Sequence, residues 1–326
     1  MRARDGLFVE ARRFWMAAAL LVTVQTVALC AQPVWERVPL SPPPNSGEPV
    51  GVWSGGAYLA IENHSSAAPM LLVYNQSGEL LQRVTIGIPG AGHLLVLTYW
   101  FAHRADGYLA VVGTASDERL GAGFLDIISP SAESQTVVRL FPYGAEAVTF
   151  APDGTIWTAG IENHDDPGSS QDYLILRRFD ITGKQIGGAV PRSEFPVRSI
   201  PVAGSILVSS KDRVGWFSPF GHRYMEFTAD GKELANYPLS VSLVDFHGLA
   251  LCDDSRVWMG VSGSSEESQG LKEPHTALTL LDRAQGTWTK GEQQAYVHIH
   301  GCSGTTLIGK GYGEGYLEEL KSMATR

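Results

Sequence analysis

Three groups of residues have the types and spacing that binding or catalysis would need. Glu48, Glu146 and His247 each stand eight residues before the end of a turn that recurs about every fifty residues, and Arg198 and His298 stand six before theirs. If the segments before the turns are strands, positions two apart share a face. Two carboxylates, two imidazoles and a guanidinium would then point into one channel and suit an ion or a polar small molecule. Glu48, Glu146 and His247 could ligate one divalent metal ion (calcium, zinc or manganese), with His298 as acid/base and Arg198 as an anion clamp. Asp245 and His300 are nearby reserves. The competing view is that channel walls are wet and accept polar residues without a ligand.

The second group is a repeated tetrapeptide, Ile61-Glu62-Asn63-His64 and Ile161-Glu162-Asn163-His164. Glu62, His64, Glu162 and His164 could hold a metal, or hydrogen-bond a sugar or peptide. Shared repeat ancestry explains the same match without a ligand. The third group is Asp165, Asp166 and Asp172, hard oxygen ligands that match no fixed calcium-loop spacing and read equally as a solvated acidic loop. Cys252 and Cys302 end neighbouring strands at nearly one level and could form a disulfide. Asn63 and Asn75 begin glycosylation sequons. The chain has no Gly-x-Ser-x-Gly elbow, no His-Glu-x-x-His, no phosphate-cradling Gly-rich loop and no Cys-x-x-Cys.

The elements that must position these residues follow from an internal repeat. Turns end at Gly56, Gly107, Gly154, Gly204, Ser255 and Gly304, at intervals of 51, 47, 50, 51 and 49 residues. Each precedes an apolar run such as Ile156-Trp157-Thr158-Ala159. A second series, including Asn75-Gln76-Ser77-Gly78, Asp180-Ile181-Thr182-Gly183 and Ala229-Asp230-Gly231, gives each unit two more strands. Four antiparallel strands per unit, repeated radially, make an all-β, six-bladed β-propeller. A seven-bladed ring with one degenerate blade, or a pair of sandwiches, would fit the spacing less well. The last unit runs out of chain before its fourth strand, and 34–40 (VWERVPL) has no partner of its own. That strand, placed outermost in the last blade, would close the ring and remove both free edges. The loops at 62–69, 113–123, 162–172, 209–222, 262–276 and 309–315 would lie on the polar face. At 316–323 the chain could make one or two helical turns.

Ala151-Pro152-Asp153-Gly154-Thr155-Ile156-Trp157 followed by Phe179-Asp180-Ile181-Thr182-Gly183-Lys184 resembles the blade pattern of the NHL-repeat and SMP-30/gluconolactonase-like (TolB-like) propellers. The resemblance covers most of the chain as repeat geometry, with the turn motif clearest in the third unit. It implies the fold, and for the hydrolases of that group a divalent metal held in the channel by Glu, Asn and Asp. That set has no residue-by-residue counterpart in this sequence.

The N-terminus carries Arg2, Arg4, Arg12 and Arg13, then sixteen uncharged residues, Phe14 to Leu29, then small residues near 30–32. This is the form of a cleaved signal peptide, so 1–31 is read as an export signal and 32–326 as a single propeller domain. An uncleaved anchor would need a longer apolar run, and lipidation of Cys30 is disfavoured by the bulky Leu29 before it. The 326 residues are 44% hydrophobic and 18% charged and include 8 Trp, 11 Tyr and 12 Phe, which excludes a disordered chain. A net charge of −9 argues against nucleic-acid binding. The expectation is an exported monomer, secreted or periplasmic, that recognises a small polar ligand or a protein partner on one face. The alternative is a metal-dependent hydrolase or lyase using the same channel.

Overall fold

Short runs of β-branched and aromatic residues, each halted by a turn bearing Gly, Asp or Asn, favour strands over helices. In the computed structural model the described residues are 35–44, 51–88, 95–116, 121–162, 172–196, 200–239, 246–262, 275–295, 297–311 and 319–324. They belong to one compact unit, Trp35–Thr325. Among them the one helical element is a 3-10 turn at Arg192–Glu194, and no helix is long and apolar enough to cross a membrane.

The first described strands are β1 (Trp35–Pro39), β2 (Gly51–Ser54), β3 (Ala57–Glu62), the two-residue β4 (Ser65–Ser66), β5 (Met70–Tyr74) and β6 (Leu80–Thr85). Next come β7 (Leu95–His103), β8 (Leu109–Ser116), β9 (Gly121–Ile128) and β10 (Gln135–Arg139), then β11 (Tyr143–Phe150), β12 (Ile156–Glu162), β13 (Leu174–Phe179) and β14 (Gln185–Pro191). They are followed by β15 (Ile206–Ser209), β16 (Val214–Ser218), β17 (Arg223–Phe227) and β18 (Glu233–Pro238). The last strands are β19 (Phe246–Leu251), β20 (Val257–Ser262), β21 (His275–Asp282), β22 (Thr287–Ala295), β23 (Val297–Ser303), β24 (Thr306–Gly311) and β25 (Glu319–Ala324).

These strands form a propeller of antiparallel, mostly four-stranded blades. Four sheets use consecutive strands: β7 to β10, β11 to β14, β15 to β18 and β19 to β22. A fifth is β2-β3-β5-β6, whose β4 crosses over and adds a short strand against β7, pairing Ser65 with Leu97 and Ser66 with Val96. The remaining sheet is composite, β23-β24-β25-β1, with Trp35 to Pro39 paired antiparallel to Met323 to Glu319. The inner strands β2, β7, β11, β15, β19 and β23 each lie against the next, and β23 lies against β2.

The core is divided among the gaps between sheets. One cluster joins Leu59, Leu71 and Val73 of the first sheet to Phe101, Val111 and Phe124 of the second; another joins Trp157 and Ile175 to Trp216 and Phe227. Sheet-to-sheet hydrogen bonds carry the repeat length as their sequence separation. The Ser54 hydroxyl donates to the His103 carbonyl (2.9 Å), Arg104 to the Gly154 carbonyl (3.1 Å), and Arg178 to the Asp230 carbonyl (2.6 Å).

Three segments depart from the sequence reading; in the first, the expected 113–123 loop, β8 runs on to Ser116 and β9 begins at Gly121 because the two pair along that length. The turn at Val202-Ala203-Gly204 precedes the inner strand of its sheet instead of following it. Ile206–Ser209 is that inner strand, and the hairpin to β16 is Ser210 to Arg213, where the Ser210 hydroxyl donates to Asp212 (3.0 Å). The expected 209–222 loop therefore contains a hairpin turn and a fully buried strand. The residues at 319–324 are a strand, because pairing with β24 on one side and β1 on the other outweighs their local helix propensity.

Two buried acids make the sheet contacts testable. Asp126 is 1% exposed; Gln135 donates to its Oδ2 (2.5 Å) and also to the Gly87 carbonyl (2.7 Å), while Oδ1 has no hydrogen-bond partner among the described residues. Burial pushes this carboxyl up to about 7, and the Gln135 amide only partly opposes the rise. With the folded value above the unfolded one, this group's stabilisation is present below about pH 4 and is lost as pH rises towards 7. Asp126→Asn should therefore raise the Tm by several degrees at pH 8 and leave it nearly unchanged at pH 4. An equal gain at both pH values in a thermal melt would refute the assignment. Glu226, also 1% exposed, receives Arg213 (3.0 Å) from its own sheet, Arg283 (2.7 Å) from the next and the Tyr224 hydroxyl (3.1 Å). Removing its charge would leave the half-buried Arg283 guanidinium without its carboxylate, whereas Arg213 would keep Asp212 (2.7 Å). Glu226→Gln should cost about 3 kcal/mol in denaturant unfolding, and a loss near zero would show that the clamp is dispensable.

Candidate functional site

The inner strands are not regular. Their ladders slip between Thr98 and Trp100 in β7, Ala145 and Ala147 in β11, Phe246 and Leu249 in β19, and Ile299 and Gly301 in β23. Each slip is a β-bulge that takes residues out of pairing and re-aims them. The residues released are Tyr99, Glu146, His247 with Gly248, and His300. Two bulges depend on glycine. Gly248 has φ +95° and its Cα lies against the backbone of Ile299, while Gly301 has φ +150° and lies against the backbone of Trp53. A Cβ at either point would overlap the neighbouring strand, so glycine lets sheets approach at the point where the histidines are presented.

The inner strands enclose a cavity of about 720 Å³. Its wall combines apolar and aromatic surface, including Tyr99, Trp100, Phe101 and Phe246, with the polar side chains of Glu146, Ser205, His298, His300 and Lys310. His298 and Lys310 are cross-strand partners in β23 and β24. His247 Nδ1 and His298 Nε2 share a hydrogen bond of 3.1 Å, their rings edge to face. His300 Nδ1 bonds the Gly51 carbonyl and its ring stands edge-on to Tyr58, with centroids 5.6 Å apart. A carbonyl only accepts, so Nδ1 carries the proton and Nε2 of the neutral ring is an acceptor. Glu146 lies three inner strands away from this corner, on β11.

Burial, with His247 and Lys310 beside it, pushes His298 down to about 4. Burial and then Lys310 push His300 down to about 3, against the opposing bond to Gly51. Burial alone raises the Glu146 carboxyl. Both histidines are therefore neutral at pH 7, and the corner offers lone pairs beside an amine.

The expected site residues separate as follows. Glu146 and His298 line the cavity, and His247 joins them through His298. His300, held in reserve, also lines it. Glu48, Arg198, His164 and Asp245 lie outside the described residues, as do Asp165 and Asp166. Glu62 and Glu162 are buried at the ends of β3 and β12, and Glu162 is ion-paired with Arg177, whose guanidinium lies 3.9 Å from the Tyr143 ring centroid. His64 is exposed, and its carbonyl accepts from the Thr98 amide (3.0 Å), which seats β4 against β7. Asp172 accepts from the Ser193 amide (3.1 Å). Cys252 and Cys302 are joined in a disulfide with Cα atoms 5.2 Å apart. Lys310 and Tyr99 were not foreseen. Lys310 could have been found by pairing His298 across its hairpin, whereas Tyr99 stands at the same eight-residue offset as Glu146 and His247.

The metal implied by the family resemblance is not matched by the described residues, none of which form a group of three His, Cys, Asp or Glu able to hold an ion. The depressed histidines predict acid sensitivity. Their stabilisation is complete above about pH 6.5 and is lost as pH falls towards 4 and 3. Thermal melts from pH 7.5 to 4.5 should show a falling Tm, with a shallower fall in His298→Gln. An unchanged slope in that variant would place the acid sensitivity elsewhere.

No protein-family model and no curated protein matches the chain. Among solved structures, a member of the DUF4221 family from Bacteroides vulgatus aligns at 10% identity with a TM-score of 0.50, over 90% of this chain and 97% of that one. An oligogalacturonate lyase in complex with manganese aligns at 12% identity and TM-score 0.46, over 84% and 76%. A putative TolB from Agrobacterium tumefaciens aligns at 13% and TM-score 0.46, over 75% and 80%. At 10% identity the match to the DUF4221 protein is a likeness of fold alone.

Proposed function

We propose that this chain is an exported six-bladed β-propeller that binds a small polar ligand in its central cavity without transforming it. The observation that carries the reading is a cavity of about 720 Å³ into which bulges of the inner strands bring Tyr99, Glu146 and His300, with His298 beside them. Bulges weaken sheet pairing, and their placement around one cavity is economical if a ligand meets the side chains they release. The signal-like N-terminus and the disulfide between Cys252 and Cys302 support export into an oxidising compartment. A protein partner is a weaker fit, because the polar groups lie inside the ring and not on an outer face.

A thermal-shift screen of residues 32–326 against a broad library of water-soluble metabolites tests the reading. At least one class should stabilise the protein, and Glu146→Trp, which fills the cavity, should abolish that stabilisation. Hits unaffected by Glu146→Trp would move binding to another surface. Elemental mass spectrometry of untagged protein belongs beside the screen. About one equivalent of metal, lost on chelation, would instead favour the metal-dependent hydrolase or lyase. Terminal sequencing of exported protein should place the mature start near residues 30–32.

A further inference from the structure

Three of the acids that folding removes from water are engaged by the frame: Asp126 by Gln135, Glu162 by Arg177, and Glu226 by Arg213 and Arg283. Glu146 is placed differently. The slip between Ala145 and Ala147 takes it out of the ladder, and it lines the cavity. It is half-buried between two fully buried alanines, so it has lost part of its water and keeps surface for a ligand. Burial raises its carboxyl, and no donor or cation among the described residues opposes the rise. Tyr99 is the matching residue one sheet earlier. β7 lies against β11, its ladder slips at Tyr99 as that of β11 does at Glu146, and both residues stand eight before the end of their turn. The Tyr99 hydroxyl accepts from Thr114 (2.8 Å), which anchors the phenol at its tip while the residue stays 38% exposed. Trp100 also lines the cavity, and it packs on the cluster containing Ala145 and Val148, which flank Glu146 along β11. Two bulges at one level of neighbouring strands thus bring a carboxylate and two aromatic side chains to the same stretch of wall. Lys310 is 4% exposed and belongs to the last sheet, three inner strands away. His298, held down at about 4 by burial and by His247 and Lys310, carries no charge at pH 7. The chain's net charge of −9 favours the approach of cations.

We propose that this stretch of wall recognises an organic ammonium ion, an amine-bearing small molecule whose charged nitrogen meets Glu146 and whose flanking carbons lie on Tyr99 and Trp100. A carboxylate strengthens the hydrogen bond it accepts from an ammonium N–H, and ring faces attract the same positive charge. A bare divalent ion would need several more oxygen ligands around Glu146, and aromatic rings supply none. This inference rests on the cavity-binding reading and names the class of ligand.

The test uses calorimetry at neutral pH on residues 32–326 with choline, phenethylamine and cyclohexylamine. Each is set against an uncharged counterpart of similar shape: neohexyl alcohol, phenethyl alcohol and cyclohexanol. Calcium chloride and manganese chloride are titrated alongside. At least one amine should bind, its counterpart should bind roughly tenfold more weakly, and Glu146→Gln should bring the amine down to the counterpart's level. Tyr99→Leu should weaken the amine several-fold. In the free protein Glu146→Gln should leave the Tm unchanged or raise it, because the variant removes a desolvated charge and no partner. A lowered Tm would show the carboxylate already paired and remove the basis of the inference. Equal binding by an amine and its counterpart, or an amine response that survives Glu146→Gln, would overturn the ammonium assignment. Calcium or manganese binding lost in Glu146→Gln, with no amine response, would give the site to a metal instead. Hits in the metabolite library confined to uncharged or acidic compounds would overturn this inference and leave the cavity reading intact. A library without a single hit would end both.

Discussion

A ring of sheets holds together only if its last gap is filled like the others, and here one strand from the start of the chain does that work. Pairing of β1 with β25 completes the sheet of β23 and β24, buries Leu40 and joins Ile308 to the core around Tyr58, Leu72 and Tyr74. Without that strand β25 would present an open edge, and the cluster between the last and first sheets would lose its cover. The disulfide between Cys252 and Cys302 ties the neighbouring gap covalently, with a sequence separation of 50. The chain thus fixes its two sides of closure by different means, backbone pairing on one and a covalent bond on the other.

Closure also governs the cavity. Inner strands that meet edge to edge around a ring come close, and at β19, β23 and β2 their backbones pass within the space of a side chain. Gly248 and Gly301 make that approach feasible, and the same bulges turn His247 and His300 out of the ladder. The crowding that brings sheets together therefore also builds the polar corner. Burial and the neighbouring Lys310 lower the pKa of both His298 and His300, which is a consequence of packing and not of the histidines themselves.

Charged pairs elsewhere in the molecule are used to join sheets. Glu226 links Arg213 to Arg283 across one gap, and Arg104 and Arg178 reach carbonyls one repeat away. Glu162 is taken up by Arg177 in the same spirit. These residues resemble a binding set when read by type alone, and their partners show them to be part of the frame. What is left for a ligand is the smaller group that lines the cavity, Glu146, His298 and His300 among them.

The sequence alone determined the architecture where period and turn chemistry agree: strands between Gly- and Asp-bearing turns, sheets about fifty residues apart, and an N-terminal strand needing a partner at the far end. It misplaced the inner strand of the fourth sheet because Val202-Ala203-Gly204 has the composition of a hairpin turn, and only pairing of Ile206–Ser209 with β16 distinguishes the two arrangements. It allowed one or two helical turns at 316–323 because local propensity says nothing of β1 arriving alongside 319–323. At the site, Glu146, His247 and His298 were legible from their offsets. Their actual directions were not, since a bulge inserts a residue and breaks the alternation on which such offsets depend.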